Sequence, residues 1–561
     1  MIGNWFTDKN DLPGFEYTGS LPYSAVCKDG TPVKLPEDLC KRKFGCGYAQ
    51  YDYDLDGITV SRKINIKPSF EIDGGQPAFV LSLTLKNHRE NGVPAKIELS
   101  EIMGVHYSEI QYQFASEEAQ KIKFNYEVFE GSDTGDGNSD EKYSVSSIVK
   151  DLISDTGLVQ GGPAPKDAPP EIDFSSDWKK VLPSFSEEAD PTMRRELIWH
   201  AYSLEAMATY SSYYHETKIP QGTIYDYNWG KHASARDNLQ HALPCVYYNP
   251  KLAKSTLRYL MERTTSFGEV KLIEYENGYA EHEGYFTSDQ QLFMFLLLSE
   301  YLRVTGDYDF LKEEQEPFPC DGSGKKVTVL HMVEKLFAFL RDTIGVGPHG
   351  LVRLYNSDWN DTIYYIEKVP YLTVVRGGES HMNSAMVCSI FQTLIPQLKK
   401  GGAAQKLTEN MFLEPMGYTL QMKDYPLEGK KVLYKEMQKR LYQGEKLGAR
   451  QQQTPQFDSP DYDKGSRENG GFWWALNAPV ICGLASWDKA EARRLLQNMT
   501  LSHMSECFPD YWCCYWDASN NVESSLIPQE GLSDQSFTYS DVPHCCAHPH
   551  AWILYCWYYL K

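Results

Sequence analysis

The sequence predicts a multidomain chain of α and β class, an N-terminal β-sandwich followed by an α/α toroid. Three observations carry that reading. Apolar and polar residues alternate with period two in the first part, a Pro/Gly-rich stretch at 161–170 interrupts the chain, and beyond about residue 185 the apolar period becomes that of helices. A length of 561 residues exceeds one ordinary core and implies two or three domains, one of them large.

Taken in order, residues 57–66 (Gly-Ile-Thr-Val-Ser-Arg-Lys-Ile-Asn-Ile) and 78–85 (Ala-Phe-Val-Leu-Ser-Leu-Thr-Leu) read as strands, and short strands up to about residue 125 suggest a sandwich. Residues 131–142 form an acidic, Gly-rich run without a full calcium-loop pattern, which reads as a solvated excursion. The boundaries that follow are a sandwich over 1–160, a linker over 161–185 and a helical domain over 186–561. Within the last, helices are expected at 194–208, 290–302, 327–340, 384–398 and 489–496. Polar, aromatic-rich loops separate them, as in a toroid whose connecting loops build a pocket. A helical solenoid would show a repeated period, and none is found.

Hydrophobic content of 42% and aromatic content of 13% are ample for a globular core, so global disorder is not expected. The 38 Tyr and 12 Trp supply amphipathic rings of the kind that sugar clefts use, although cores also consume them. With 55 basic and 76 acidic residues the formal charge is -21, which disfavours nucleic acid and anionic membranes and favours a neutral substrate. The longest apolar runs, such as 293–298, fall far short of a membrane span. The first residues lack the pattern of a signal peptide, so the chain as written is expected in the cytoplasm, or in the periplasm or medium if a leader has been removed. Thirteen cysteines, an odd count in a long chain, suggest reduced, packed thiols rather than a disulfide scaffold. The groups Cys513-Cys514 and Cys545-Cys546, with Cys507, His544 and His548 nearby, match no zinc spacing, so no metal is expected.

Four segments concentrate groups that chemistry uses. They are 225–241, with Lys231, Arg236 and Asp237; 281–289, ending in Asp289; 354–362 (Leu-Tyr-Asn-Ser-Asp-Trp-Asn-Asp-Thr), joined by 376–380 with Glu379; and 465–474, with Glu468 and Asn469. Each alone could be a solvated loop or a helix cap. Recurring ahead of successive helices, they read as one pocket of carboxylates, amides and indoles. Rings stack on sugar faces, polar groups hold hydroxyls, and one carboxylic acid protonates a glycosidic oxygen.

Arg-Asp-Asn-Leu-Gln at 236–240, Ser-Asp-Gln-Gln-Leu at 288–292 with Thr-Gly-Asp at 305–307, Asp-Trp-Asn-Asp at 358–361, Gly-Gly-Glu-Ser at 377–380 and Arg-Glu-Asn-Gly-Gly at 467–471 resemble, in order and rough spacing, the signatures of the cellobiose and chitobiose phosphorylase family, glycoside hydrolase family 94. The resemblance runs from about residue 190 to the end. It implies a β-sandwich, a linker and an (α/α)6 barrel, inverting cleavage of a β-linked oligosaccharide or glycoside, and often a homodimer. By the same likeness Asp361 is the general acid. Trp359, Arg236 and Asp237 hold the sugar whose bond breaks, with Asp358, Asp289, Glu379, Glu468, Asn469 and, across a length difference, Lys231 as further substrate contacts.

Two departures bear on the reaction. Where the family places a phosphate-binding histidine after Glu-Asn-Gly the chain has Ala475, and where it places a Thr-Gly-Thr/Ser run the chain has Cys546-Ala547-His548. Water replacing phosphate is the simpler reading, and no cofactor is implied, with inorganic phosphate a co-substrate only for a phosphorylase. An inverting hydrolase needs a base about 6.5–9.5 Å from the acid. Glu506 is the first choice because a family glutamate lies near that place, with Asp510 and Asp541 as other candidates. The expectation is an inverting glycoside hydrolase on a phosphorylase-like scaffold; its rivals are a true phosphorylase and a carbohydrate-binding protein without catalysis.

Overall fold

The computed structural model describes residues 21–26, 32–34, 41–55, 58–68, 78–87, 97–105, 120–128, 141–148 and 158–163 in the first part of the chain. Further on it describes 174–211, 213–221, 234–271, 287–318, 325–355, 357–360, 371–400, 416–451, 464–509, 516–527 and 546–561. The chain divides into two compact units, Met1–Ser184 and Phe185–Lys561.

Among the described residues the first unit contains ten strands: β1 (Leu21–Val26), β2 (Pro32–Lys34), β3 (Lys41–Gly45), β4 (Tyr48–Leu55), β5 (Ile58–Lys67), β6 (Ala78–Asn87), β7 (Ile97–Val105), β8 (Gln120–Val128), β9 (Glu141–Ile148) and β10 (Leu158–Pro163). They form two antiparallel sheets, β2-β1-β7-β8 and β10-β9-β6-β5-β4-β3. The β5–β6 register pairs Val60 with Leu85 and Ile64 with Leu81, so the alternation seen in the two sequences lands on shared faces. Packing of sheet on sheet, which would make a sandwich, falls on side chains outside those described. The stretch 161–185, expected as a linker, holds the end of β10 and a short helix, α1 (Ser175–Val181). The indole of Trp178 donates to the Ile66 carbonyl and anchors α1 within this unit.

The second unit is mostly helical. Among the described residues its helices include α2 (Pro191–Met207), α3 (Ala235–Ala242), α4 (Pro250–Met261), α5 (Gln290–Thr305), α6 (Val329–Ala338), α7 (His381–Lys400), α8 (Met416–Gln421), α9 (Leu427–Leu441), α10 (Trp474–Leu484), α11 (Lys489–Asn498), α12 (Leu501–Cys507) and α13 (Ala547–Leu560). Caps set many starts: the Asp190 carboxylate accepts from the Thr192 N–H ahead of Pro191, and Thr328, Asp488 and Thr500 do the same for α6, α11 and α12. Gly306, at φ 67°, ends α5 in the left-handed region.

Among the described residues six helices pack in a closed cycle: α3 on α5, α5 on α7, α7 on α8, α8 on α10, α10 on α13, and α13 back on α3. Others lie behind them, α2 against α13, α4 against α3 and α5, α9 against α8, and α11 against α10 and α13. The cycle helices α5, α10 and α13 are buried around most of their circumference, and a helix packed on several sides needs apolar groups all round. That is why α10 and α13 lack the one-sided period that betrays a helix in sequence. Pro479 inside α10 and Pro549 near the start of α13 hide them further.

Candidate active site

The site is built outward from Arg236 at the start of α3. Its Nη1 donates to Asp289 Oδ2 at 3.1 Å and to the Asp358 carbonyl at 3.0 Å, and its backbone N–H donates to Gln290 Oε1 at 3.0 Å. One guanidinium thereby joins three of the sequence motifs. Gln290 in turn donates to Asp289 Oδ1 at 3.0 Å and to Thr287 at 2.8 Å, so both carboxylate oxygens of Asp289 are engaged.

The Asp-Trp-Asn-Asp segment is held from several sides. The Asp358 carboxylate accepts from Ser380 Oγ at 2.6 Å and from the Asn360 N–H at 2.8 Å. Ser380 accepts from the Asn383 N–H at the start of α7, and Asn383 donates to Ser288 Oγ at 2.8 Å. The Ser288 N–H donates to the Ser357 carbonyl. Trp359 meets Trp473 edge to face, with centroids 4.7 Å apart and planes at 84°, and the Trp473 indole donates to the Arg467 carbonyl. Phe472–Trp473 pairs with Asn521–Val522 as a short ribbon, which brings the buried Glu523 beside the Gly465–Gly471 segment through the Ser524 N–H to Gly465 carbonyl bond.

Tyr355 and Arg467, neither of them glycine, sit at φ 61° and 43°. Left-handed backbone at ordinary residues costs free energy and clusters at functional sites. Here both lie within the motifs.

Asp237 follows Arg236 and is buried. Burial alone would raise its carboxyl, but the His548 hydrogen bond and the charges of His548, Arg236 and His241 outweigh that and hold it down at about 2. His548 Nε2 is 3.4 Å from Asp237 Oδ1. The His241 ring packs edge to face on His548, centroids 4.5 Å apart, and its Nδ1 donates to the Ile219 carbonyl. Burial, with the charge of His548, pushes His241 down to about 3, so it is neutral near pH 7.

The structure brings together Arg236, Asp237, Asp289, Asp358 and Trp359, and it places Glu468 and Asn469 in buried positions on the 3-10 turn Arg467–Asn469 that abuts Trp473. Lys231 and Asp361 lie outside the described residues, as do Asp510 and Asp541 and the cysteines 513, 514 and 545. Three of the expected residues have contacts that bear on their roles. Asp289 is fully buried and accepts from Arg236 and Gln290, which holds the Arg236 guanidinium in place. The Glu379 carboxylate accepts the N–H groups of His349 and Leu351 and the His349 ring, and so pins the 347–351 turn. Glu506 lies on α12 with its side chain 80% exposed among the described residues and His503 Nδ1 3.9 Å away, whereas confining an attacking water calls for an enclosed carboxylate.

Sequence reasoning gives no role to Gln290, Ser380 and Trp473, although all three stand inside quoted motifs. His548 enters there only in the cysteine and histidine group weighed for a metal and in the stretch that stands where the family places a Thr-Gly-Thr/Ser run. Its pairing with Asp237 depends on two helices 300 residues apart in sequence, and no local pattern announces it. Asn383 carries no signal. Among the described residues no group of three or more His, Cys, Asp or Glu is arranged to hold a metal ion.

Comparison with known proteins matches residues 198–462 to the family described as "Glycosyl hydrolase 94 superfamily, catalytic domain". A curated relative, Solabiose phosphorylase of Paenibacillus borealis, is 30% identical over 129 residues; the match covers 23% of this chain and 15% of that protein's length. Among solved structures, a GH63 mannosylglycerate hydrolase from Thermus thermophilus in complex with glucose aligns at 11% identity and TM-score 0.38, over 64% of this chain and 99% of that one. A rhamnosidase from Klebsiella oxytoca with rhamnose bound aligns at 12% identity and TM-score 0.37, over 96% of this chain and 94% of that one.

Proposed function

From the match of residues 198–462 to the catalytic domain of the glycosyl hydrolase 94 superfamily, we propose that the chain is a carbohydrate-active enzyme cleaving a β-glycosidic bond with inversion, water being the nucleophile. The closed cycle of six helices with others behind it is then an (α/α)6 barrel, and the loops at the starts of α3, α5, α7 and α10 line its mouth. The observation that carries the reading is the Arg236 hub, which draws the Arg-Asp-Asn, Ser-Asp-Gln and Asp-Trp-Asn-Asp motifs into one buried cluster. In it Asp237, held ionised, and Arg236 receive sugar hydroxyls, while the Trp359 ring, braced by Trp473, gives the sugar an apolar wall. Asp361, three residues beyond Asp358, acts as general acid. The base in this reading is Glu523, a buried carboxylate that directly follows the strand Asn521–Val522 paired with Phe472–Trp473.

Water as nucleophile is supported by what occupies the places where the family binds phosphate. Ala475 and Ala547 are buried methyl groups, and His548 is turned to Asp237. Phosphorolysis is the second reading, favoured by the match to Solabiose phosphorylase. Incubation with β-linked disaccharides, with and without inorganic phosphate, separates the two. Hydrolysis gives free α-configured sugar independent of phosphate, read by proton NMR of the anomers; formation of a sugar 1-phosphate only with phosphate establishes the rival, and binding without any product defeats both. Asp361→Asn is expected to lower turnover about 10²- to 10⁴-fold with an unchanged circular dichroism spectrum, and full activity in that variant would remove Asp361 from its role.

A further inference from the structure

A second buried polar system, separate from the Arg236 hub, joins α2, α12, α13 and the loop at 517. His200 Nε2 is 3.2 Å from Glu196 Oε1, His200 Nδ1 is 2.8 Å from His550 Nδ1, and His550 Nε2 is 3.1 Å from Asp517 Oδ1. All four side chains are buried.

Proton positions follow from counting donors. Glu196 also accepts from the N–H groups of Leu501 and Ser502 and from the Ser502 hydroxyl, so it is an acceptor, a carboxylate. Asp517 accepts from the N–H groups of Ala518 and Cys546 and is a carboxylate too. His200 Nε2 must then carry hydrogen toward Glu196. In a neutral ring that leaves His200 Nδ1 bare, and the hydrogen between the two rings belongs to His550 Nδ1. His550 Nε2 faces Asp517 at ion-pair distance but off the line of a good hydrogen bond; a bare lone pair there would oppose a carboxylate, whereas an N–H is attracted to it. Two imidazoles therefore share three hydrogens.

We propose that Glu196, His200, His550 and Asp517 form one buried relay that carries a single imidazolium between two carboxylates, and that this relay clamps the start of α13 so that His548 reaches Asp237. The clamp acts on α13 at two points, the His550 ring and the Cys546 N–H, which flank His548 in sequence. Other titratable groups against α13 face its other residues: Asp237 and His241 on α3 face His548, Cys482 on α10 faces Cys556, Glu188 accepts from the Trp557 indole, Tyr247 stacks on Tyr558, Glu300 acts on Tyr555, and Glu187 and Cys245 act on Tyr558. Burial pushes the His200 ring below its ordinary range, outweighing the charges of Glu196 and Asp517 that favour its protonated form, and a charge on His550 opposes a second one on His200; the third hydrogen is therefore placed on His550. One positive charge between two negative ones reduces the cost of burying either carboxylate, and removing one member leaves a charge uncompensated.

The test is a long-range proton–nitrogen correlation spectrum of the full chain labelled with ¹⁵N-histidine. At pH 8, where an exposed histidine of pKa about 6.5 is neutral, one ring is expected to show both nitrogens in the protonated range, and that signal should vanish in His550→Gln. Asp517→Asn, which keeps the side-chain shape, should shift the loss of the same signal downward by a pH unit or more. The relay is overturned if the rings of His200 and His550, identified by their substitution, are both neutral at pH 7, or if Asp517→Asn leaves the titration unmoved. These readouts do not depend on turnover, so they stand apart from the proposed reaction.

Discussion

Arg236 is the residue on which most of the site depends, and its chemistry sets a stability expectation as well as a functional one. Its guanidinium neutralises a fully buried Asp289. Truncation by Arg236→Ala strands that charge and is expected to destabilise the fold by about 3–5 kcal/mol, read as a lower urea midpoint. Asp237 and His241 set the acid limit. His241 is depressed in the fold to about 3, so the unfolded chain takes up a proton below about pH 6.5 that the native state refuses; stability contributed by the neutral ring is present above that pH and lost as pH falls. Asp237, held at about 2, adds a loss in the same direction below the ordinary carboxylate value of about 3.9. His241→Asn, which can still donate to the Ile219 carbonyl, should flatten the stability profile between about pH 6.5 and 4 relative to the natural protein. At this scale the sequence is informative about identity and weak about role. It singles out Asp289 and Glu379 as polar groups, but what each side chain bonds is a matter of neighbours as far as 53 and 28 residues away, Arg236 for the first and Leu351 for the second.

At the scale of elements, the helices visible in sequence are those with capping chemistry or a clear apolar period. α2, α5, α7 and α11 begin or end within a few residues of where the pattern puts them, and the pattern at 327–340 becomes α6 followed by a wider π-type turn at Phe339–Ile344. α4 is missing from the expected set although Asn249 caps it and Pro250 follows, both ordinary start signals; α10 and α13 carry none, for the reasons of burial and proline given above. Helix α12 shows how caps matter. Thr500 accepts from the His503 N–H, and Glu196 takes the first two N–H groups, so Thr500→Ala should cost about 1 kcal/mol in thermal or denaturant unfolding. Because Glu506 points outward from this helix, Glu506→Gln should leave kcat/KM within about twofold, as exposed substitutions away from a site do; a large loss would restore it as a candidate base.

For the whole molecule, the division at Ser184 predicts that residues 185–561 expressed alone fold cooperatively with a strongly helical circular dichroism spectrum, since the cycle of helices closes within that unit. A chain that stays unfolded without residues 1–184 would show that the helical unit is incomplete. No described helix is long and apolar enough to cross a membrane.

The sequence by itself determined the class of each part, the position of many helices and the set of residues with chemical content, because periodicity, capping and motif order are local properties of the chain. Only the tertiary structure decided what each described carboxylate bonds. Asp289 is spent on Arg236, Glu379 on a turn, Glu506 lies in solvent, and Asp237 is held ionised by a histidine from the last helix. Burial and charge pairing fix those outcomes, and both are made by residues far apart in sequence.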